Sequence, residues 1–356
     1  MKHYLLALSI GVTALVGCQS PKESNLVASN FTFAEQQFKY AFSKIDEARA
    51  NESQESRDKR IAKQWGELTN PRNTEPDGSL HLVPSRDWTS GFFPGELWYV
   101  YEYTHDPFWK EKAEKHTEML EREKKNGTTH DMGFKMYCSY GNGYRLTSNP
   151  TYKDILIESA RTLITRFKPN VGCIRSWDHH ADQWECPVII DNMLNLELLF
   201  WASRETNDST FYNIAVSHAR TTMKNHFRPD YTCWHVVSYN NDGTVERKQT
   251  HQGKNDDSSW ARGQAWAVYG YTACYRETND STFLNFAIKV ADMIMDRVKT
   301  DDAIPYWDYD APVTEETPRD ASAASVGKEY ALPYPDCFTA GMWENNAFAR
   351  SHPLSE

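Results

Sequence analysis

No basic face is available in this sequence: Lys and Arg number 39 against 49 Asp and Glu, a formal net charge of −10. Wrapping nucleic acid requires a surface that neutralises phosphates, so that class of partner is excluded. Metal-ligand spacing is missing too. Cys18, Cys138, Cys173, Cys186, Cys233, Cys274 and Cys337 include no CxxC or similar grouping, so neither zinc nor iron–sulfur ligation is indicated. Buried free thiols are the default, with a Cys173 to Cys186 bridge left open for an oxidising compartment. A Gly-rich phosphate loop, a Gly-x-Ser-x-Gly elbow and a His-Glu-x-x-His helix are all absent. Asp256-Asp257 and Asp301-Asp302 are too sparse an oxygen array for calcium and read as solvated loop acids. After Val16 no segment is apolar enough to cross a membrane.

What the chain does have is apolar material, 40% of 356 residues, with 12 Trp and 19 Tyr. That excludes disorder over most of the length and supplies a sizeable core. Two domains are the prior at about 150 residues each, although helical toroids exceed that size as single units. The aromatic surplus mostly serves the core, and stacking on sugar rings is the functional use for the remainder.

Met1-Lys2-His3 followed by the short apolar run Tyr4 to Val16 reads as a secretory signal rather than a permanent span. The run closes on Leu15-Val16-Gly17-Cys18, the pattern of a bacterial lipobox, against which stands an ordinary buried Cys. The expectation is a signal over 1–17, lipidation at Cys18 and a polar tether over 18–30. The protein would then be held at the cell envelope by its acyl chains alone.

An octapeptide, Arg204-Glu-Thr-Asn-Asp-Ser-Thr-Phe211, recurs unchanged at Arg276 to Phe283, and weaker copies sit at Thr104 to Trp109 and Thr147 to Tyr152. Each reads as a helix stop, an Asp or Asn capping the next helix, and an aromatic stapling its first turn. Segments before these turns are apolar almost all round, and segments after them are amphipathic. Inner and outer helices stacked around an axis give an all-α (α/α)6 toroid; an open solenoid is the alternative. Helices are expected near 31–48, 88–103, 105–123, 131–146, 151–168, 190–204, 209–226, 259–276 and 281–299, with a stub at 319. That is short of the twelve that six pairs make. The expected domain is 31–325, its last hairpins missing, and 326–356 reads as an aberrant, non-helical tail left by a truncation or frameshift. The connections 126–130, 170–187 and 231–259 fall at one end of the ring, the last with Asn241-Asp-Gly243 as a hairpin turn.

Those connections carry the candidate chemistry. Asp191 opens an inner helix amid apolar residues, where desolvation would raise its pKa and make it a proton donor, unless it merely caps the helix. Asp131 holds the same place one hairpin earlier, and paired carboxylates at one mouth suit sugar chemistry. Arg262 on an inner helix needs either an anionic ligand or an internal Asp. His130, His235, His251, Gln252, Trp88 and Trp177 lie in or beside the same connections, each singly more easily read as structural.

Together these segments resemble glycoside hydrolase family 88, the unsaturated glucuronyl hydrolases. The resemblance runs from about Asp87 to Ala324. It rests on Asp87-Trp-Thr-Ser-Gly-Phe-Phe-Pro-Gly95, His130-Asp-Met-Gly-Phe134, Arg175-Ser-Trp177, Ile190-Asp-Asn192, Thr250-His-Gln-Gly253, the Trp260 to Trp266 stretch and Arg319-Asp-Ala-Ser-Ala323. It implies an (α/α)6 toroid that releases a 4,5-unsaturated uronic acid from the non-reducing end of oligosaccharides left by polysaccharide lyases. Asp191 would be general acid and base, Asp131 its partner at the sugar ring, and Trp88, His130, Trp177, His235, Gln252, Trp260 and Arg262 the subsite. The implied reaction hydrates a vinyl ether and needs neither metal nor cofactor. An unsaturated rhamnogalacturonyl hydrolase is the enzymatic alternative, and a non-catalytic helical sugar-binding lipoprotein the other. Ulvan, glycosaminoglycan, alginate and gellan all remain open as sources of the substrate.

Overall fold

The computed structural model describes residues 21–179 and 182–329. Its elements in chain order are α1 (Pro21–Ala50), α2 (Gln54–Ala62), the hairpin β1 (Leu68–Thr74) and β2 (Leu80–Pro84), α3 (Phe92–Thr104), α4 (Pro107–Glu118), a 3-10 turn Glu121–Lys125, a π-helix Gly133–Gly141 continuing into α5 (Asn142–Thr147), and α6 (Pro150–Ile164). Then come β3 (Phe167–Lys168), β4 (Cys173–Ile174), β5 (Cys186–Ile189), α7 (Asn192–Thr206), α8 (Ser209–Asn225), β6 (Val236–Tyr239), β7 (Val245–Gln249), α9 (Ala261–Thr278), α10 (Ser281–Arg297) and α11 (Ala321–Glu329).

One turn, used four times, builds the hairpins. His105, Ser148, Asn207 and Asn279 each adopt a left-handed conformation, with φ between 53° and 56°, and so end the preceding helix. The next residue, Asp106, Asn149, Asp208 or Asp280, accepts the backbone N–H two residues on and starts the following helix. Thr104, Thr147, Thr206 and Thr278 bond back to the carbonyl four residues earlier and accept the N–H of the cap. Three residues past each cap, Trp109, Tyr152, Phe211 and Phe283 are fully or almost fully buried and pin the new helix. An inner helix therefore reverses directly into its outer partner.

The result is the (α/α)6 toroid architecture with a few small sheets. Among the described residues, α3, the π-helix with α5, α7, α9 and α11 stand side by side as the inner layer, backed by α1, α4, α6, α8 and α10. Inner helices pack almost backbone to backbone. A Cβ on Gly133 would come 2.6 Å from the Cα of Asn195, and one on Gly270 would collide with Met193. Only glycine permits that approach.

Several boundaries differ from the sequence reading. α1 starts at Pro21, inside the stretch expected as tether, and is docked from Phe31 onward: Phe31 stacks on Tyr103 at 3.9 Å and Glu35 accepts from Trp109 Nε1 at 2.8 Å. α11 continues through Val326 to Glu329, so the first residues of the expected tail are helical. The remainder of that tail, and the signal with Cys18, lie outside the described residues. The inner helix expected at 131–146 is π-wound over Gly133–Gly141. α2, β1–β2 and the pairing of β5 with β6 were not foreseen; the β6–β7 hairpin around Asn241-Asp-Gly243 was. No helix of the described residues is long and apolar enough to cross a membrane.

Candidate active site

The three-stranded sheet β5–β6–β7 sets the site. β5 and β6 are antiparallel with Ile189 opposite Val236, and the Ile190 N–H donates to the His235 carbonyl at 3.1 Å. This register carries Asp191, just past β5, against His235, just before β6. The two are 44 residues apart in sequence, yet His235 Nε2 lies 3.4 Å from Asp191 Oδ2.

Asp191 is 6% exposed and heads α7, but its side chain makes no capping hydrogen bond. Oδ2 is buried without any hydrogen-bond partner. A capping role is therefore not what keeps a carboxylate here. A buried polar atom left unsatisfied costs free energy and calls for a reason such as catalysis.

The tautomer of His235 follows from its other nitrogen. Nδ1 accepts the backbone N–H groups of His251 and Gln252, both at 3.1 Å. A nitrogen that accepts carries no proton, so in the neutral ring the hydrogen sits on Nε2, which lies 3.4 Å from Asp191 Oδ2 without forming a hydrogen bond to it. The indole of Trp260, 4.5 Å from the imidazole, covers its face.

Asp131 and His130 form a second pair with the opposite logic. His130 Nδ1 lies 2.8 Å from the Ser176 carbonyl, which can only accept, so Nδ1 carries the hydrogen. Neutral His130 thus turns a lone pair toward Asp131 Oδ1 at 3.2 Å, and the contact is attractive only while the pair holds one more proton. The Thr129 hydroxyl donates to Asp131 Oδ2 through a very short bond. Ser176 ties the two pairs together. Its carbonyl also accepts the His130 N–H at 3.0 Å, its N–H donates to the Pro187 carbonyl at 2.8 Å, and its Oγ accepts from Ile189 N at 2.9 Å.

Around these carboxylates stand the aromatics. Trp177, 7% exposed, stacks on His179 at 4.9 Å and meets Trp184 and His251 at 5.5 and 5.4 Å; its Nε1 is buried with no hydrogen-bond partner. Trp88 is half-buried against Phe92 and Phe134, with the Arg72 guanidinium 5.9 Å above its ring. Gln252 is exposed and contributes its backbone N–H to His235.

Arg262 follows the internal reading in part. Its Nη1 pairs with Asp320 Oδ2 at 2.9 Å, joining α9 to the start of α11, and its guanidinium lies 4.8 Å over Trp260. Its Nε is buried without a partner.

Sequence reasoning missed Thr129, the linking role of Ser176 and the part played by Asp308. That fully buried carboxylate accepts from Lys254 N and Ser258 Oγ, which fixes the loop whose amides hold His235. Ser176 had a signal, its place inside Arg175-Ser-Trp177; Asp308 had none. Four of the described cysteines, Cys173, Cys186, Cys233 and Cys274, are poor nucleophiles, because burial pushes their thiols up. These four form no disulfide. No metal-binding cluster occurs among the described residues.

Comparison with known proteins places the chain in a family. A family model described as Glycosyl Hydrolase Family 88 matches residues 58–277. An unsaturated glucuronyl hydrolase of Formosa agariphila is 52% identical over 250 residues, 69% of this chain and 62% of the relative. An unsaturated chondroitin disaccharide hydrolase of Streptococcus pneumoniae is 32% identical over 254 residues, covering 70% and 64%. The matched region thus spans about three fifths of the length of these curated relatives. Among solved structures, an unsaturated glucuronyl hydrolase specific for heparin superposes with a TM-score of 0.75 at 44% identity, covering 82% of this chain and 79% of that one.

Proposed function

The chain belongs to glycoside hydrolase family 88, and from that premise we propose that it is a glycosidase releasing a 4,5-unsaturated uronic acid from the non-reducing end of lyase-generated oligosaccharides. The observation that carries this reading is Asp191, a buried carboxyl that caps nothing and lies 3.4 Å from Nε2 of His235, the ring nitrogen that is free to carry the hydrogen. Support for the substrate class comes from relatives named for unsaturated glucuronyl and chondroitin disaccharide hydrolysis, and from a related structure, 28% identical, titled with dGlcA-Glc-Rha-Glc.

In the proposed reaction the protonated Asp191 delivers its proton to C4 of the C4=C5 double bond. Positive charge develops at C5 and the ring oxygen. The Asp191 carboxylate left behind accepts a proton from water as the water oxygen bonds to C5, which regenerates the acid. The C5 hemiketal opens to a ketone, the C1 hemiacetal so formed expels the aglycone as an alcohol, and one water has been consumed. His235 serves both halves. A neutral N–H donor stabilises the carboxylate after proton delivery, whereas a full positive charge would hold the proton off Asp191. Asp131, with the Thr129 hydroxyl held on Oδ2, would accept sugar hydroxyls. Trp88, Trp177 and Trp260 offer ring faces or an N–H to the sugar, and the unpaired Nε of Arg262 offers a donor to the uronate.

The test uses the ultraviolet absorbance of the conjugated uronate. A lyase digest should lose it on incubation with the protein, and Asp191→Asn, which keeps size but cannot carry the proton, should lower turnover by about 10²- to 10⁴-fold with the fold intact. A variant retaining more than about a tenth of the wild-type rate would end the assignment. A sugar-binding lipoprotein would instead bind the digest and leave its absorbance unchanged. The same panel of digests identifies the source polysaccharide.

We also propose that the protein is a lipoprotein held at the cell envelope through Cys18, on the strength of the apolar run that closes on Gly17-Cys18. Cys18→Ser should move it from the membrane fraction to the soluble one; unchanged membrane association refutes the anchor.

A further inference from the structure

Away from the carboxylate pairs, a cavity of about 580 Å³ opens between α2, the start of β1 and the segment that follows α4. Arg49, Arg57, Arg60 and Arg122 line it against two carboxylates, Glu52 and Glu67. Four against two leaves an excess of positive charge in a chain whose formal net charge is −10. The ion pairs are uneven: both lining carboxylates go to Arg60, Glu67 at 3.3 Å, which leaves Arg57 and Arg122 with only long contacts. Arg60 is saturated, with Nε and Nη2 on Glu52 at 2.9 and 2.8 Å and Nη1 on the Gly66 carbonyl at 2.6 Å. Glu52 is thereby spent, and Arg57 reaches it only at 3.6 Å through Nε. Arg49 is oriented by the Leu68 and Thr69 carbonyls, and the one acid it reaches is the fully exposed Asp46, at 3.4 Å. Arg122 donates to the Gln64 carbonyl, and its nearest acid, Glu123 at 3.9 Å, is already committed to Lys135, Ser85 and Asn126.

We propose that this cavity is an anion-binding site that takes the sulfate or carboxylate group of a saccharide. Guanidinium groups match such oxyanions with paired N–H donors, and the volume lies within the range of small-molecule pockets, about 300 to 1,000 Å³. Its location favours a saccharide over a free ion. Ser85 lines the cavity three residues before Trp88, at most about 11 Å of extended chain. Both lie in the connections that join outer helices to inner ones, the end of the ring that carries Asp131 and Asp191. The anion binding itself does not depend on the hydrolase reading; only the assignment of the anion to a sugar does.

The experiment is calorimetric titration of the full chain with a sulfated galactose, glucuronate, inorganic sulfate and neutral galactose at constant ionic strength. Arg57→Gln/Arg122→Gln serves as the comparison, since both side chains are about half exposed and neither belongs to the catalytic pairs. The acidic sugars should bind and neutral galactose should not, with affinity falling about tenfold or more in the double variant and weakening with added salt. Inorganic sulfate binding as tightly as the sulfated sugar overturns the saccharide assignment while leaving an anion site. Equal binding by wild type and double variant, or no binding by wild type, overturns the site. Hydrolysis of the vinyl ether, read separately by absorbance, is not the measured quantity, so failure here and failure of the catalytic reading are distinguishable.

Discussion

His235 is the residue at which structure and chemistry make the most discriminating demand. Its Nδ1 accepts two backbone N–H groups and its Nε2 faces Asp191 at 3.4 Å. Asn can keep an acceptor near Nδ1 but has no donor at the distance of Nε2, whereas Gln can present a donor near Nε2 and loses the acceptor. A hydrogen bond to a charged group contributes roughly 1.5–3 kcal/mol, which converts to about 10- to 100-fold in rate if it is made to the carboxylate that forms as the proton leaves. At 3.4 Å the resting contact is longer than the usual N–H to O distance of about 2.9–3.0 Å. The bond therefore strengthens mainly as Asp191 gains charge, and kcat rather than KM should carry the loss. His235→Asn is expected to fall by that factor and His235→Gln to retain most of the difference. Nitrogen NMR of histidine-labelled protein provides a readout independent of activity: His235, identified by its disappearance in the Gln variant, should show the Nε2–H tautomer at neutral pH. Equal losses in the two variants, or an Nδ1–H signature, would refute the reasoning, because His235 would then be acting as a proton carrier rather than a fixed donor.

Acid stability follows from three buried imidazoles. Burial pushes His116 down to about 4 and His218 to about 3, and drives His226 well below its usual value. Each is therefore neutral in the folded chain and takes up a proton on unfolding once the pH is below about 6.5, so stability is full above that pH and falls toward pH 4, by up to about 1.4 kcal/mol per pH unit for each ring. Urea midpoints at pH 7 and pH 5 check this, and a flat profile contradicts it. At the helix turns, Asn149→Ala removes the acceptor of the Thr151 N–H and should cost about 0.5–2 kcal/mol in urea unfolding, while Asn149→Asp should cost almost nothing; equal costs would mean that the cap is not the source.

The helical frame was legible because its punctuation is local. A Thr, a left-handed residue and a capping Asp or Asn fall within a few positions of one another, and the physics of stopping and restarting a helix is complete within that window. The site was legible only as a list. Asp131, Asp191, His130 and His235 stand out as residue types in unusual connections, but their pairing depends on the β5–β6 register, and those strands hide from pattern reading. Cys186–Ile189 and Val236–Tyr239 are buried at every position, so neither alternates, and a proline interrupts the first. The π-winding of Gly133–Gly141 is invisible for a similar reason. Its apolar positions suit an ordinary inner helix, and the Phe134 N–H that donates to Asn195 Oδ1 at 3.0 Å depends on a helix 61 residues away. Arg262 shows the remaining gap. Its charge demanded an acid, but only folding decides between Asp320 and a ligand, and the structure gives one nitrogen to Asp320 while leaving Nε unpaired. The tautomers, which decide what each histidine can do, lie deepest of all. They are set by the Ser176 carbonyl and by the amides of His251 and Gln252, backbone groups that every residue possesses and that no choice of side chain announces.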